Sequence, residues 1–230
     1  MVTAGSLAVT MALTACTDGD GKTGPDGGGA AITDAMMQAG VLQPADVGPL
    51  WKRSETSAAP VELMALCGGS ASRPPVPGTP SAVASSIVDE GPKGAQAFDQ
   101  IGLVYPDAHA AEAALAALRT AAAGCPPTAS RSAGPRGESV EAAYTETSIV
   151  NPLNSGEWSG FVVLRHKVYE PTNPGSADTA VAVLAQRNAL VVASYAVYWV
   201  GAHSTGPEFT TDWRRMVGTV LSRVDAKRTG

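Results

Sequence analysis

The chain has 230 residues, 44% of them hydrophobic and only 16% charged, and a net charge of -5 at neutral pH. That length favours one principal domain with a sizeable core. The charge balance argues against a nucleic-acid-binding surface, which needs clustered Lys and Arg, and no window reaches the roughly 18 continuous apolar residues of a transmembrane helix.

Gly5 to Ala15 reads as the apolar region of a signal peptide spanning residues 1–15, although Met1-Val2-Thr3 carries no Lys or Arg. Leu13-Thr14-Ala15-Cys16 resembles a bacterial lipobox: an aliphatic residue, two small residues, then cysteine. The resemblance implies a diacylglyceryl group on Cys16, cleavage before it, and attachment to the outer face of the cell membrane. Two acyl chains suffice for stable anchoring. Residues 16–30 then form the lipidated end and a flexible Gly- and Asp-rich tether. Gly19-Asp20-Gly21-Lys22-Thr23-Gly24 matches a dinucleotide fingerprint by spacing, but no strand precedes it and no helix follows, so no cofactor is expected.

The folded domain is placed at residues 31–226. Ala31 to Gly40 predicts a short helix with Met36 and Met37 inward, and Pro44 opens a second that ends near Gly48. Val61 to Cys67 is a short helix or turn, and the proline-rich stretch from Ser72 to Ser81 is a loop. Ser85 to Asp89 and Ala97 to Tyr105 read as paired strands. Asp107 caps a helix whose inner stripe is Ala111, Leu115, Leu118 and Ala122, with Gly124 as its stop. Thr128 to Glu138 is expected to be loop. Val140 to Val150, Trp158 to Tyr169, Ala180 to Gln186 and Ala189 to Val200 are strands, the last two joined by a tight turn in which Asn188 tolerates positive φ. Pro207 opens a final helix with an apolar stripe from Phe209 to Val224. The order predicts an α+β fold: an antiparallel sheet with helices on one face or at its ends.

Three cysteines leave one over. With Cys16 committed to lipid, Cys67 and Cys125 are expected to form a disulfide outside the membrane, the alternative being two buried thiols. No Cys or His lies at metal-ligand spacing beside them.

These features together resemble the PknH-like extracellular sensor domain of actinobacteria. The residues that carry the likeness are the lipobox, VLQPADVGPLW, the unit YPDAHAAEAALAALRTAAAGC and the terminal amphipathic helix. The resemblance covers roughly Ala31 to Val224. It implies a single domain with an open cleft, an unidentified extracellular ligand or envelope component, and no enzymatic role. It also implies a second disulfide, for which this chain has no cysteines.

No catalytic constellation is visible. His109 reads as solvated and His166 as a hydrogen-bonded core histidine. The aromatic side chains of the sheet half are either core or the walls of a cleft. On the second reading Trp158, Tyr195 and Trp199 contact the ligand, with Arg165 and His203 near the mouth and the loops 151–157, 170–177 and 201–206 at the rim. The expected protein is a monomeric, lipid-anchored, non-enzymatic binding or sensor domain without cofactor or metal. The alternatives are a cell-envelope hydrolase and a structural assembly factor.

Overall fold

The computed structural model describes residues 30–54, 63–67, 73–89, 95–136, 139–172, 174–200 and 206–227. The signal peptide, Cys16, the tether and His203 lie outside the described residues.

Thr33 caps the first helix, α1 (Asp34–Ala39), by accepting from the Met36 amide, and both methionines are buried. Pro44 opens α2 (Pro44–Val47), where Gln43 and Asp46 form a reciprocal capping box. Three strands follow: β1 (Trp51–Arg53), β2 (Ser81–Asp89) and β3 (Gln96–Val104). The Asp107 carboxylate caps α3 (Ala108–Ala123), which buries Ala111, Ala114, Leu118 and Ala122, and Gly124 ends it. The β-rich half comprises β4 (Thr128–Arg131), β5 (Gly134–Arg136), β6 (Ser139–Glu141), β7 (Tyr144–Ser155), β8 (Trp158–Tyr169), β9 (Gly175–Gln186) and β10 (Ala189–Val200). Helix α4 (Pro207–Ala226) closes the domain.

Eight strands form one antiparallel sheet in the order β1-β2-β3-β10-β9-β8-β7-β4, and β5 pairs with β6 beside it. Residues Ala31–Gly230 cluster as one compact unit. The α+β expectation holds, with helices on both faces. Against one face α1 and α4 pack over Phe98, Trp158, Leu184, Val191 and Tyr195. The complete predicted stripe of α4 is buried there, Phe209 and Trp213 through Val224. Against the other face α3 packs over Phe161, Val163, Val181, Val183, Leu190 and Val192, joined by Leu63 and Leu66. Among the described residues no helix is long and apolar enough to cross a membrane.

Two close approaches set these layers. A Cβ on Gly160 would lie 1.9 Å from the Val183 carbonyl oxygen, so only glycine lets β8 meet β9 there. A Cβ on Gly102 would lie 3.0 Å from Met37 Sδ, so its absence seats α1 on β3.

Three local expectations are corrected. Of the expected loop at residues 128–138, the described part is mostly strand: it holds β4 and β5, because Thr128–Arg131 adds to the edge of β7. Residues 151–155 are not loop either but complete β7, with the turn confined to Gly156-Glu157 and Gly156 at φ 60°. In the β9–β10 turn Arg187, not Asn188, takes the positive φ of 52°. The Asn188 side chain instead accepts from the Ile32 amide and donates to the carbonyls of Ile32 and Tyr105.

Candidate functional site

On the face covered by α3, strands β8, β9 and β10 change character midway. In β8 the inward residues Phe161 and Val163 give way to Arg165 and Lys167. In β9 Val183 and Val181 give way to Thr179 and Ala177, and in β10 Leu190 and Val192 give way to Ser194, Ala196 and Tyr198. The register aligns these changes: Arg165 sits opposite Thr179 and Ser148, while Lys167 sits opposite Ala177 and Glu146. Helix α3 is about 24 Å long, whereas a 12-residue strand runs about 40 Å. The helix covers the apolar half, and the polar half is left as the floor of a cleft.

That cleft holds about 440 Å³. Its lining includes Ala65 and Arg73, which flank the disulfide residue Cys67 in the sequence, and Arg131, Ser132, Gly134, Pro135 and Glu141. Tyr144, Glu146, Arg165, Lys167, Ala177, Thr179 and Tyr198 line the floor. An adjoining hollow of about 450 Å³ shares Arg131, Ser132 and Tyr144, and continues past Tyr169 to Pro171.

The floor is held by charge pairs. Arg165 Nε lies 3.5 Å from Glu146 Oε1, and the Glu146 side chain is only 4% exposed. Arg165 Nη1 also donates to the Cys67 carbonyl at 3.2 Å. Lys167 Nζ donates to Glu141 Oε1 at 2.8 Å, and the Tyr169 hydroxyl donates to the same oxygen at 3.3 Å. The Lys167 ammonium stands 3.9 Å from the Tyr144 ring centroid, and Tyr144 meets Tyr169 edge to face at 5.8 Å. Long side chains are thereby held in one arrangement before any ligand arrives.

Cys67 and Cys125 form the expected disulfide, tying the segment before β2 to the end of α3. Of the sequence-derived ligand residues, Arg165 lines the cleft and touches the disulfide loop. Trp158, Tyr195 and Trp199 do not join it, because they occupy the α4 face. Trp158 is fully buried, and its Nε1 donates to Asp225 at 3.3 Å. Tyr195 stacks on Phe209 at 5.6 Å and donates to Gln96 Oε1 at 2.6 Å. Burial pushes the Tyr195 phenol well above its ordinary range, aided by the negative charge of Asp212. Trp199 is half-buried against the same core. The core reading therefore holds for Trp158 and Tyr195.

Sequence reasoning missed Tyr198, Lys167, Tyr144, Glu141, Glu146, Arg73 and Arg131. The signal for three of them was strand alternation: Lys167 shares a face with Arg165, and Tyr144 shares one with Glu146. His109 is exposed as expected. His166 Nδ1 lies 2.8 Å from Oδ1 of the buried Asp178, on the face opposite the cleft. Among the described residues, no group of three or more His, Cys, Asp or Glu side chains is placed to hold a metal ion.

The sequence matches no protein-family model and no curated protein. Among solved structures, the fold is similar to the crystal structure of the extracellular domain of PknH from Mycobacterium tuberculosis. The TM-score is 0.53 at 14% identity, over 86% of this chain and 100% of that one. At that identity the likeness is one of fold, and it is the fold the sequence resemblance implied.

Proposed function

We propose that this protein is an extracytoplasmic binding or sensor domain, held to the outer face of the membrane by a lipid on Cys16, which captures a ligand without chemistry. One observation carries the reading: an open cleft lined by the pre-paired Arg165, Lys167, Glu141 and Glu146 rather than by packed apolar side chains alone. Buried charge is costly unless it is paired, and such a floor offers no gain in stability over an apolar one. Its retention in an otherwise apolar sheet is accounted for by recognition. The PknH likeness supports an extracellular setting, and the Cys67–Cys125 disulfide supports an oxidising one.

The test is native mass spectrometry of the purified chain against a cell-envelope extract, with the wild type beside Tyr198→Ala and Arg165→Gln. An adduct and a raised melting temperature are expected for the wild type, and both should weaken in the variants. No adduct from any fraction, or one that the wild type converts to a new mass with time, would count against a non-enzymatic binding domain.

A further inference from the structure

The same cleft carries an imbalance of charge. Among its described lining residues Arg73, Arg131, Arg165 and Lys167 face Glu141 and Glu146, in a protein whose net charge is -5. Both carboxylates are already engaged, Glu146 by Arg165 and Glu141 by Lys167. The side chains of Arg73 and Arg131 make no hydrogen bond, ion pair or ring contact among the described residues, and both residues are exposed. Both line the one cleft, Arg73 from the segment before β2 and Arg131 from the end of β4. The local excess thus runs against the sign of the whole molecule, and it comes from the two exposed arginines rather than from the paired groups.

Resting on the binding reading above, we infer that the cleft takes a small ligand bearing phosphate or carboxylate oxygens, clamped between Arg73 and Arg131. A guanidinium offers a planar fork of donors that matches an oxyanion in bidentate fashion, and its charge persists at every relevant pH. Two guanidiniums facing one hollow repel each other until an anion enters, so the empty site favours a ligand of opposite charge. Tyr144 and Tyr198 supply flat surfaces for the ligand's body. The Arg165–Glu146 and Lys167–Glu141 pairs hold the floor neutral, which leaves the selection of charge to Arg73 and Arg131.

The shared chemistry is an oxyanion, and two sources present it: a free phosphate or organic acid, and the headgroup of an anionic phospholipid. The purified full chain is titrated with inorganic pyrophosphate and with citrate, following the melting temperature at low and at physiological salt. In a second arm it is floated with vesicles of phosphatidylglycerol or of phosphatidylcholine. Saturable stabilisation by either free anion, weakened by salt, assigns a soluble ligand; a preference for phosphatidylglycerol vesicles while the free anions are silent assigns the headgroup. In each case the charge-reversed pair R73E/R131E should weaken binding at least tenfold, whereas R119E on the exposed side of α3 should leave it unchanged. Both arginines are exposed, so these variants are expected to fold, which their unchanged melting temperature without ligand verifies.

The inference is overturned if no anion and no vesicle binds, if R73E/R131E binds like the wild type, or if R119E loses as much. An envelope extract that stabilises wild type and R73E/R131E equally would overturn the oxyanion while leaving a binding domain. An extract with no effect on either would remove the binding reading itself.

Discussion

Arg165 on β8 donates through Nη1 to the main-chain carbonyl of Cys67, 98 residues earlier in the chain, at 3.2 Å. The side chain that forms the cleft floor is therefore tied to the loop that the disulfide holds. The floor of the cleft is thus linked to a covalent bond outside the sheet.

Replacing both Cys67 and Cys125 by Ser should accordingly do two things. The bridge closes a 58-residue separation, and loop-closure entropy of that size is worth about 4 kcal/mol. Urea denaturation should show a loss of that order. Ligand binding should weaken in the fraction that remains folded, because Arg165 loses a fixed partner. Full stability in the double variant would show that the bridge contributes nothing to the fold.

The two tryptophans named from the sequence should behave as core and not as contacts. Trp158 is fully buried, so Trp158→Ala should cost about 3–5 kcal/mol. Trp199→Ala should cost less, since Trp199 is only half-buried, and it should leave cleft binding intact, since it projects from the opposite face. Loss of binding in a folded Trp199→Ala protein would place the ligand on the α4 side.

Asp46 and Arg223 predict an acid limb in the stability profile. Arg223 Nη1 and Nη2 donate to the two Asp46 oxygens at 2.7 and 2.6 Å, and the Gln43 amide donates to Oδ2 at 2.7 Å. The hydrogen bonds from Arg223 lead in holding the Asp46 carboxyl below its ordinary value of 3.8, while its partial burial opposes them. A carboxyl depressed by folding stabilises the protein fully above its unfolded pKa and loses that contribution as pH falls through the folded one. Melting temperature should therefore drop as pH falls below about 4, and Arg223→Gln should flatten that drop. An unchanged acid limb in Arg223→Gln would assign it to other carboxylates.

Cys16→Ser should leave the chain uncut and unlabelled by a fatty-acid analogue in a host that processes lipoproteins. Labelling that survives the change would remove the anchor from the proposal.

The sequence by itself determined the elements whose signal is local. The ends of β8 and β10, the Asp107 cap and Gly124 stop of α3, and the buried stripe of α4 follow from residues within a few positions of one another. Periodicity and capping act over that range, so they were legible. It also determined that Arg165 and Lys167 share one face of their strand, and Tyr195 and Trp199 one face of theirs. Only the tertiary structure decided which of those faces would be closed. That choice depends on where α3 and α4 dock, through contacts that span the chain, and on the length of α3 relative to the strands it covers. The same holds for Thr128–Arg131, too polar to announce a strand, which becomes one because the edge of β7 offers unpaired backbone groups. Arg73 and Arg131 line one hollow for the same reason: they lie 58 residues apart in the sequence, and only the packing of the segment before β2 and of the added edge strand brings both to it.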